Sequence, residues 1–203
     1  MARVVETMTG KERSDHLLAV IASERFLKKQ GLGNEVPFFI CPFNPEDAVD
    51  MDRQRGQLVK QLANRGVTVL QIDLYDLSIS ILKDRGSWDR IIAMEEEMPK
   101  DELLETLQGP LDPAAHLIPA IARMLKSQEF DVLFLSGVGE VFPFIRSHNV
   151  LNNLQSTAKD KPTVMFFPGT YTHSLATGAS LELFCRLRDD KYYRAFNIFH
   201  YEV

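Results

Sequence analysis

No stretch of this 203-residue chain approaches the roughly 18 consecutive apolar residues of a transmembrane helix, which excludes a membrane-spanning segment. The first residues, Met1 to Glu6, lack the apolar core of a secretory signal, so the cytoplasm is the expected location. Cysteine is nearly absent. Cys41 and Cys185 stand far apart, which excludes a disulfide framework and leaves two reduced thiols. The five histidines show no ligand spacing and no zinc signature is present. Positive charge is in deficit: the net charge of -5 speaks against a broad nucleic-acid-binding face, leaving only a local basic groove open. Internal repeats and low-complexity tracts are missing as well.

What is present suits a globular core. Apolar residues make up 45% of the chain and charged ones 25%, with thirteen phenylalanines, enough for one α/β domain over residues 1–203. Leu17, Leu18, Ile21, Ala22 and Phe26 recur at helical spacing after Ser14, a candidate cap, with a stop at Gly31 or Gly33. Glu35 to Cys41 reads as a strand broken by Pro42-Phe43-Asn44-Pro45. Asn44 can cap a second helix that carries Val49, Leu58, Val59 and Leu62 and stops at Gly66. Val67 to Leu74, Phe130 to Ser136 and Thr163 to Phe167 are further strands. Between the second and third strands, residues 75–126 hold only helical signals, read as an excursion on the sheet edge. Seven acids there, from Asp89 to Glu105, face Arg90 and Lys100 alone, the pattern of a solvated helix face. A helix with Pro143, Ile145, Leu151 and Leu154 follows Gly137-Val138-Gly139. This alternation predicts a three-layer α/β sandwich with a mostly parallel central sheet, right-handed crossovers and helices on both faces.

Ligands of such folds bind beyond the carboxyl ends of the strands, here the turns at 41–46, 73–76, 136–140 and 168–180. The first turn, Cys-Pro-Phe-Asn-Pro-Glu, has neither glycine nor lysine, and its prolines remove two N–H donors that a phosphate would need. Gly137-Val138-Gly139 has two glycines of a dinucleotide fingerprint, but Phe142 takes the third place and Glu140 opposes a pyrophosphate. Asp73 and Asp76 lie at the end of the second strand, where a metal-binding acid could reside, but Asp76 is equally well placed as a helix cap, the preferred reading. Ser136 with Asp73 and His148 or His173 could be strung into a triad, but the Gly-x-Ser-x-Gly elbow is absent. No residue is therefore assigned a catalytic, metal or cofactor role, and no cofactor is expected. Two alternatives stay open: a nucleotide-responsive module with a divergent site, and a metal-dependent nuclease or phosphohydrolase using Asp73, Asp76 or Glu140.

Two groups read either as core and ordinary surface or as partner contacts. Arg146, Asn149, Asn152 and Asn153 share one polar helix face. Tyr192, Tyr193, Arg194 and Phe196 crowd aromatic and guanidinium groups into five positions, the residue types that dominate interfaces. Phe166-Phe167-Pro168-Gly169-x-Tyr171, Leu181-x-Leu183-Phe184 and Tyr192-Tyr193-Arg194-Ala195-Phe196 together resemble the signature of the BrxB family of BREX bacteriophage-defence systems. Gly137-Val138-Gly139 with Phe142-Pro143-Phe144-Ile145-Arg146, and Leu151-Asn152-Asn153-Leu154, extend the resemblance over nearly the whole chain. It implies a Rossmann-like fold resembling a degenerate P-loop ATPase, and a non-catalytic scaffold or adaptor of a multi-protein system that methylates host DNA and blocks unmodified phage. The implied partner is the phosphatase-like PglZ component, with further BREX proteins. Direct DNA contact and a homodimer are left open. Candidate partner-binding residues are Arg146, Asn149, Asn152, Tyr171, Tyr192, Tyr193, Arg194 and Phe196.

Overall fold

A computed structural model describes residues 8–30, 37–174, 178–189 and 195–202. Helix α1 (Gly10–Ile21) starts earlier than Ser14, because Thr9 and Glu12 close a capping box that satisfies the first free N–H groups. The Thr9 backbone N–H, above all, holds the Glu12 carboxyl below its usual range. The expected single helix then divides, since the Ser23 hydroxyl caps a separate turn, α2 (Glu24–Leu27). The stops expected at Gly31 or Gly33 lie outside the described residues.

Strand β1 (Phe38–Phe43) runs through Pro42 instead of breaking before it. The edge strand β7 (Phe196–Asn197) pairs only with Phe39 and Ile40, so Pro42 has no ladder partner on that side and its missing N–H is tolerated. Asn44 caps the short 3-10 turn Pro45–Asp47, which leads into α3 (Ala48–Asn64). Val49, expected on the apolar stripe, is 75% exposed at the start of α3; Met51, Leu58 and Leu62 form the buried stripe. Strand β2 (Val69–Asp73) passes without a loop into α4 (Leu74–Asp84). Helices α5 (Trp88–Glu95), α6 (Lys100–Gln108) and α7 (Ile118–Ser127) complete the helical insertion before β3 (Val132–Ser136). All seven acids from Asp89 to Glu105 are exposed. The helix expected from Gly137 onward begins only at Ser147 and is α8 (Ser147–Leu154); turns occupy 138–145, and Pro143 lies among them.

The parallel order is β2-β3-β4-β1-β7, where β4 spans Thr163–Ser174. Alternate residues divide the core into two layers. Phe38, Ile40, Leu133, Leu135, Met165 and Phe167 meet α4, α5, α7 and α8. Phe39, Cys41, Val132, Phe134, Val164 and Phe166 meet α1 to α3. Helices thus cover both faces of a mostly parallel sheet, with the insertion packed on a face and not only at the edge.

Pro168-Gly169, expected to end β4 in a polar loop, does not end it. The strand crosses out of the parallel sheet and pairs antiparallel with β5 (Gly178–Leu183), from Gly169↔Leu183 to Ser174↔Gly178. Strand β6 (Leu187–Asp189) extends this arm. Glycine permits the crossing because its φ is +153° and a Cβ there would stand 2.1 Å from the Glu182 carbonyl oxygen.

Burial pushes the Cys41 thiol up to about 12 from an ordinary 9.0, only partly opposed by nearby Arg13. Ellman's reagent near pH 8 is expected to titrate one thiol in the native protein, the exposed Cys185, and both after denaturation. With the folded pKa above the unfolded one, this thiol's contribution to stability is fully present below pH 9 and lost as pH rises towards 12.

Candidate functional site

The carboxyl ends of β1, β3 and β4 open into a crevice of about 330 Å³. Its floor is a polar junction between β2 and β3, whose last residues, Asp73 and Ser136, lie side by side in register. Asp73, not Asp76, caps α4, because the helix starts at the very next residue. Its Oδ1 accepts the backbone N–H groups of Tyr75 at 2.9 Å and Asp76 at 3.2 Å. Its Oδ2 accepts the Ser136 hydroxyl at 2.9 Å. Ser136 therefore donates straight to the acid, not in the nucleophile–base–acid order of a hydrolytic triad. Gly137, at φ +76°, closes over this junction: a Cβ there would lie 2.6 Å from Asp73 Oδ1 and 2.9 Å from the Leu74 and Tyr75 nitrogens.

The crevice walls come from distant parts of the chain. From α3, Arg55 pairs with Asp52 and lies 5.9 Å over the Phe166 ring. Phe43 and Pro45 border the turn after β1. On the opposite side the β5–β6 hairpin delivers Phe184, whose ring fills the space against Gly139 and Pro168. A Cβ on Gly139 would reach Phe184 Cε1 at 3.0 Å, so the glycine sets how closely that ring approaches. Sequence periodicity gives no sign of Arg55 or Phe184 here, since each arrives by tertiary packing.

Outside the crevice the expected partner residues divide. Arg146 is exposed at the start of α8, 6.0 Å over the ring of Phe142, which meets Phe184 edge-on at 6.4 Å. Asn152 is exposed; Asn149 is half-buried, and its carbonyl accepts the Asn153 amide at 2.7 Å. Tyr171 is 6% exposed, and its hydroxyl donates to the Ala195 carbonyl at 2.6 Å, so it ties the arm to the C-terminal segment. Phe196 is half-buried in β7, 5.8 Å from Phe39. Tyr192, Tyr193 and Arg194 lie outside the described residues. Among the described residues no group of three or more His, Cys, Asp or Glu side chains is placed to hold a metal ion, and no helix is long and apolar enough to cross a membrane.

No solved structure matches the chain. A curated relative from Bacillus cereus (strain H3081.97), named BREX protein BrxB, is 35% identical over 189 residues, covering 92% of this chain and 96% of the relative. Another of that name, from Escherichia coli O9:H4 (strain HS), is 27% identical over 186 residues, covering 92% of this chain and 90% of the relative. The family model for BREX protein BrxB matches residues 70–198, from β2 through the crevice turns to the C-terminal aromatic segment. The chain belongs to the BrxB family, and with it to the components of BREX phage-defence systems.

Proposed function

We propose that this BREX component is a non-catalytic adaptor that holds the phosphatase-like PglZ component in the defence complex. The observation that carries this reading is the chemistry of the strand ends. In a nucleotide-hydrolysing α/β protein, the turn after the first strand offers backbone N–H groups to phosphate. Here Pro42 and Pro45 offer none, and the Asn44 side chain is turned onto Glu46 N instead. Asp73, the carboxylate best placed for chemistry, accepts three hydrogen bonds that hold α4 and Ser136 in place. The strand-end junction thus uses Asp73 and Ser136 for structure, while Arg146 and Asn152 are exposed on the surface at α8. Arginine and aromatic side chains are the groups from which protein interfaces draw most of their energy.

The test is co-expression with PglZ, followed by size-exclusion chromatography and a measured dissociation constant. Arg146→Ala, Tyr193→Ala and Arg194→Ala are each compared with the parent chain. At least one is expected to weaken the complex by about 2 kcal/mol, roughly thirtyfold, with the melting temperature unchanged. A well-folded chain that associates with neither PglZ nor any other BREX protein would falsify the adaptor reading.

A further inference from the structure

We propose that the strand-end crevice is a receptor for an arginine side chain of the protein partner, taken between phenyl walls and the carboxylates of Asp73 and Glu140. This rests on the adaptor reading and specifies the chemistry by which the partner is recognised. The cavity of about 330 Å³ is large enough for one long side chain. Phe43, Met51, Pro168 and Phe184 give it apolar walls, while its charged groups are three carboxylates, Asp52, Asp73 and Glu140, against one guanidinium, Arg55. That guanidinium is already paired with Asp52. Asp73 is bonded only to neutral donors, and Glu140, exposed at the lip, makes no ion pair among the described residues. The uncompensated charge is therefore negative, and a crevice with low-dielectric walls concentrates its attraction on a cation.

Ring faces decide which cation. A cation over a phenyl face gains quadrupole attraction, and a planar guanidinium stacks there while its N–H groups reach carboxylates. The crevice already contains such a stack, Arg55 over Phe166. A compact ammonium uses the rings less well, and a phosphate would meet three carboxylates and two prolines.

The backbone around the second ring is consistent with this use. Phe184 and Cys185 form the β5–β6 turn with φ of 55° and 56°, left-handed values that non-glycine residues rarely adopt. Such strain persists where surrounding packing holds it, and here it presents the Phe184 ring to the cavity between Gly139 and Pro168.

The isotope-labelled full chain would be titrated, with backbone amides followed by NMR, using N-acetyl-arginine amide and its uncharged isostere N-acetyl-citrulline amide. The expected result is saturable shifts confined to Gly137–Glu140 and Leu183–Cys185 with arginine, and none with citrulline. Glu140→Gln should weaken binding about two- to fivefold and Glu140→Arg abolish it. Equal shifts with citrulline, equal affinity for N-acetyl-lysine amide, or shifts spread over the acidic helices α5 and α6 would each overturn the assignment. Complex formation with PglZ separates the two readings. A complex left intact by Glu140→Arg removes the arginine receptor and keeps the adaptor. A parent chain that binds no BREX protein removes the adaptor, and the partner's arginine with it.

Discussion

Replacing Gly169 with alanine is expected to destabilise the protein by about 3–5 kcal/mol, a large part of the 5–15 kcal/mol that holds a typical domain folded. Two penalties combine. The backbone at φ +153° is one that L-residues rarely adopt, at about 1–3 kcal/mol. The new methyl would also stand 2.1 Å from the Glu182 carbonyl oxygen and 3.1 Å from its carbonyl carbon, both main-chain atoms of the paired strand β5. A flexible side chain could swing aside; a hydrogen-bonded strand must shift as a whole. For a chain of this length the melting temperature should fall by about 6–20 °C. Two glycines serve as controls. Gly66 (φ +78°) faces open space, so alanine there carries only conformational strain, about 1 kcal/mol. Gly109, with helical φ of -62° and nothing near its absent Cβ, should accept alanine with no loss. Chemical denaturation of the three variants gives the order directly. A Gly169→Ala protein within about 0.5 kcal/mol of the parent would mean that the arm does not cross the sheet at this residue.

That residue also marks where the sequence stopped being legible. The parallel core could be read because β1, β3 and the first half of β4 are apolar runs buried on both faces, while the edge strand β2 alternates, with Leu70 and Ile72 buried and Gln71 exposed. Phe38 to Cys41 and Val132 to Leu135 show this most plainly. The arm could not be read, because Pro-Gly is the usual punctuation of a turn, and only the nearness of Glu182 reveals that this glycine sits inside a strand. Strands β6 and β7, three and two residues long, are too short to carry any period. Likewise, no residue preference announces a left-handed Phe184 or Cys185, and the Phe184 ring finds its place only by tertiary packing beside Gly139 and Pro168. The location of the crevice followed from the rule for strand ends. Its lining did not, because Arg55 lies well inside α3 and Phe184 on a hairpin nearly fifty residues past Ser136. The choice between Asp73 and Asp76 as cap turned on a loop of zero length between β2 and α4, which propensity does not resolve.

Phe39→Ala should have a comparable effect on stability for a different reason, and it separates support of a binding surface from contact with a partner. Phe39 is 1% exposed in β1 and lies at the centre of an aromatic cluster. Its ring is 4.5 Å from Phe26, 5.4 Å from Tyr201 and 5.8 Å from Phe196. Truncation leaves a cavity that rings anchored on α2, β7 and the C-terminal turn cannot jointly fill, and such losses run to about 3–5 kcal/mol. Phe39→Leu keeps most of the volume and should lose no more than about 1.5 kcal/mol. Because the cluster holds Phe196, the alanine variant also loosens the anchor next to Tyr192-Tyr193-Arg194. If the chain is the proposed PglZ adaptor, the complex should then weaken in Phe39→Ala while Phe39→Leu keeps it, although neither side chain can touch a partner. A partner affinity that ignores Phe39→Ala, in a protein shown by denaturation to be destabilised, would move the binding surface away from the C-terminal aromatics and towards the Arg146 face.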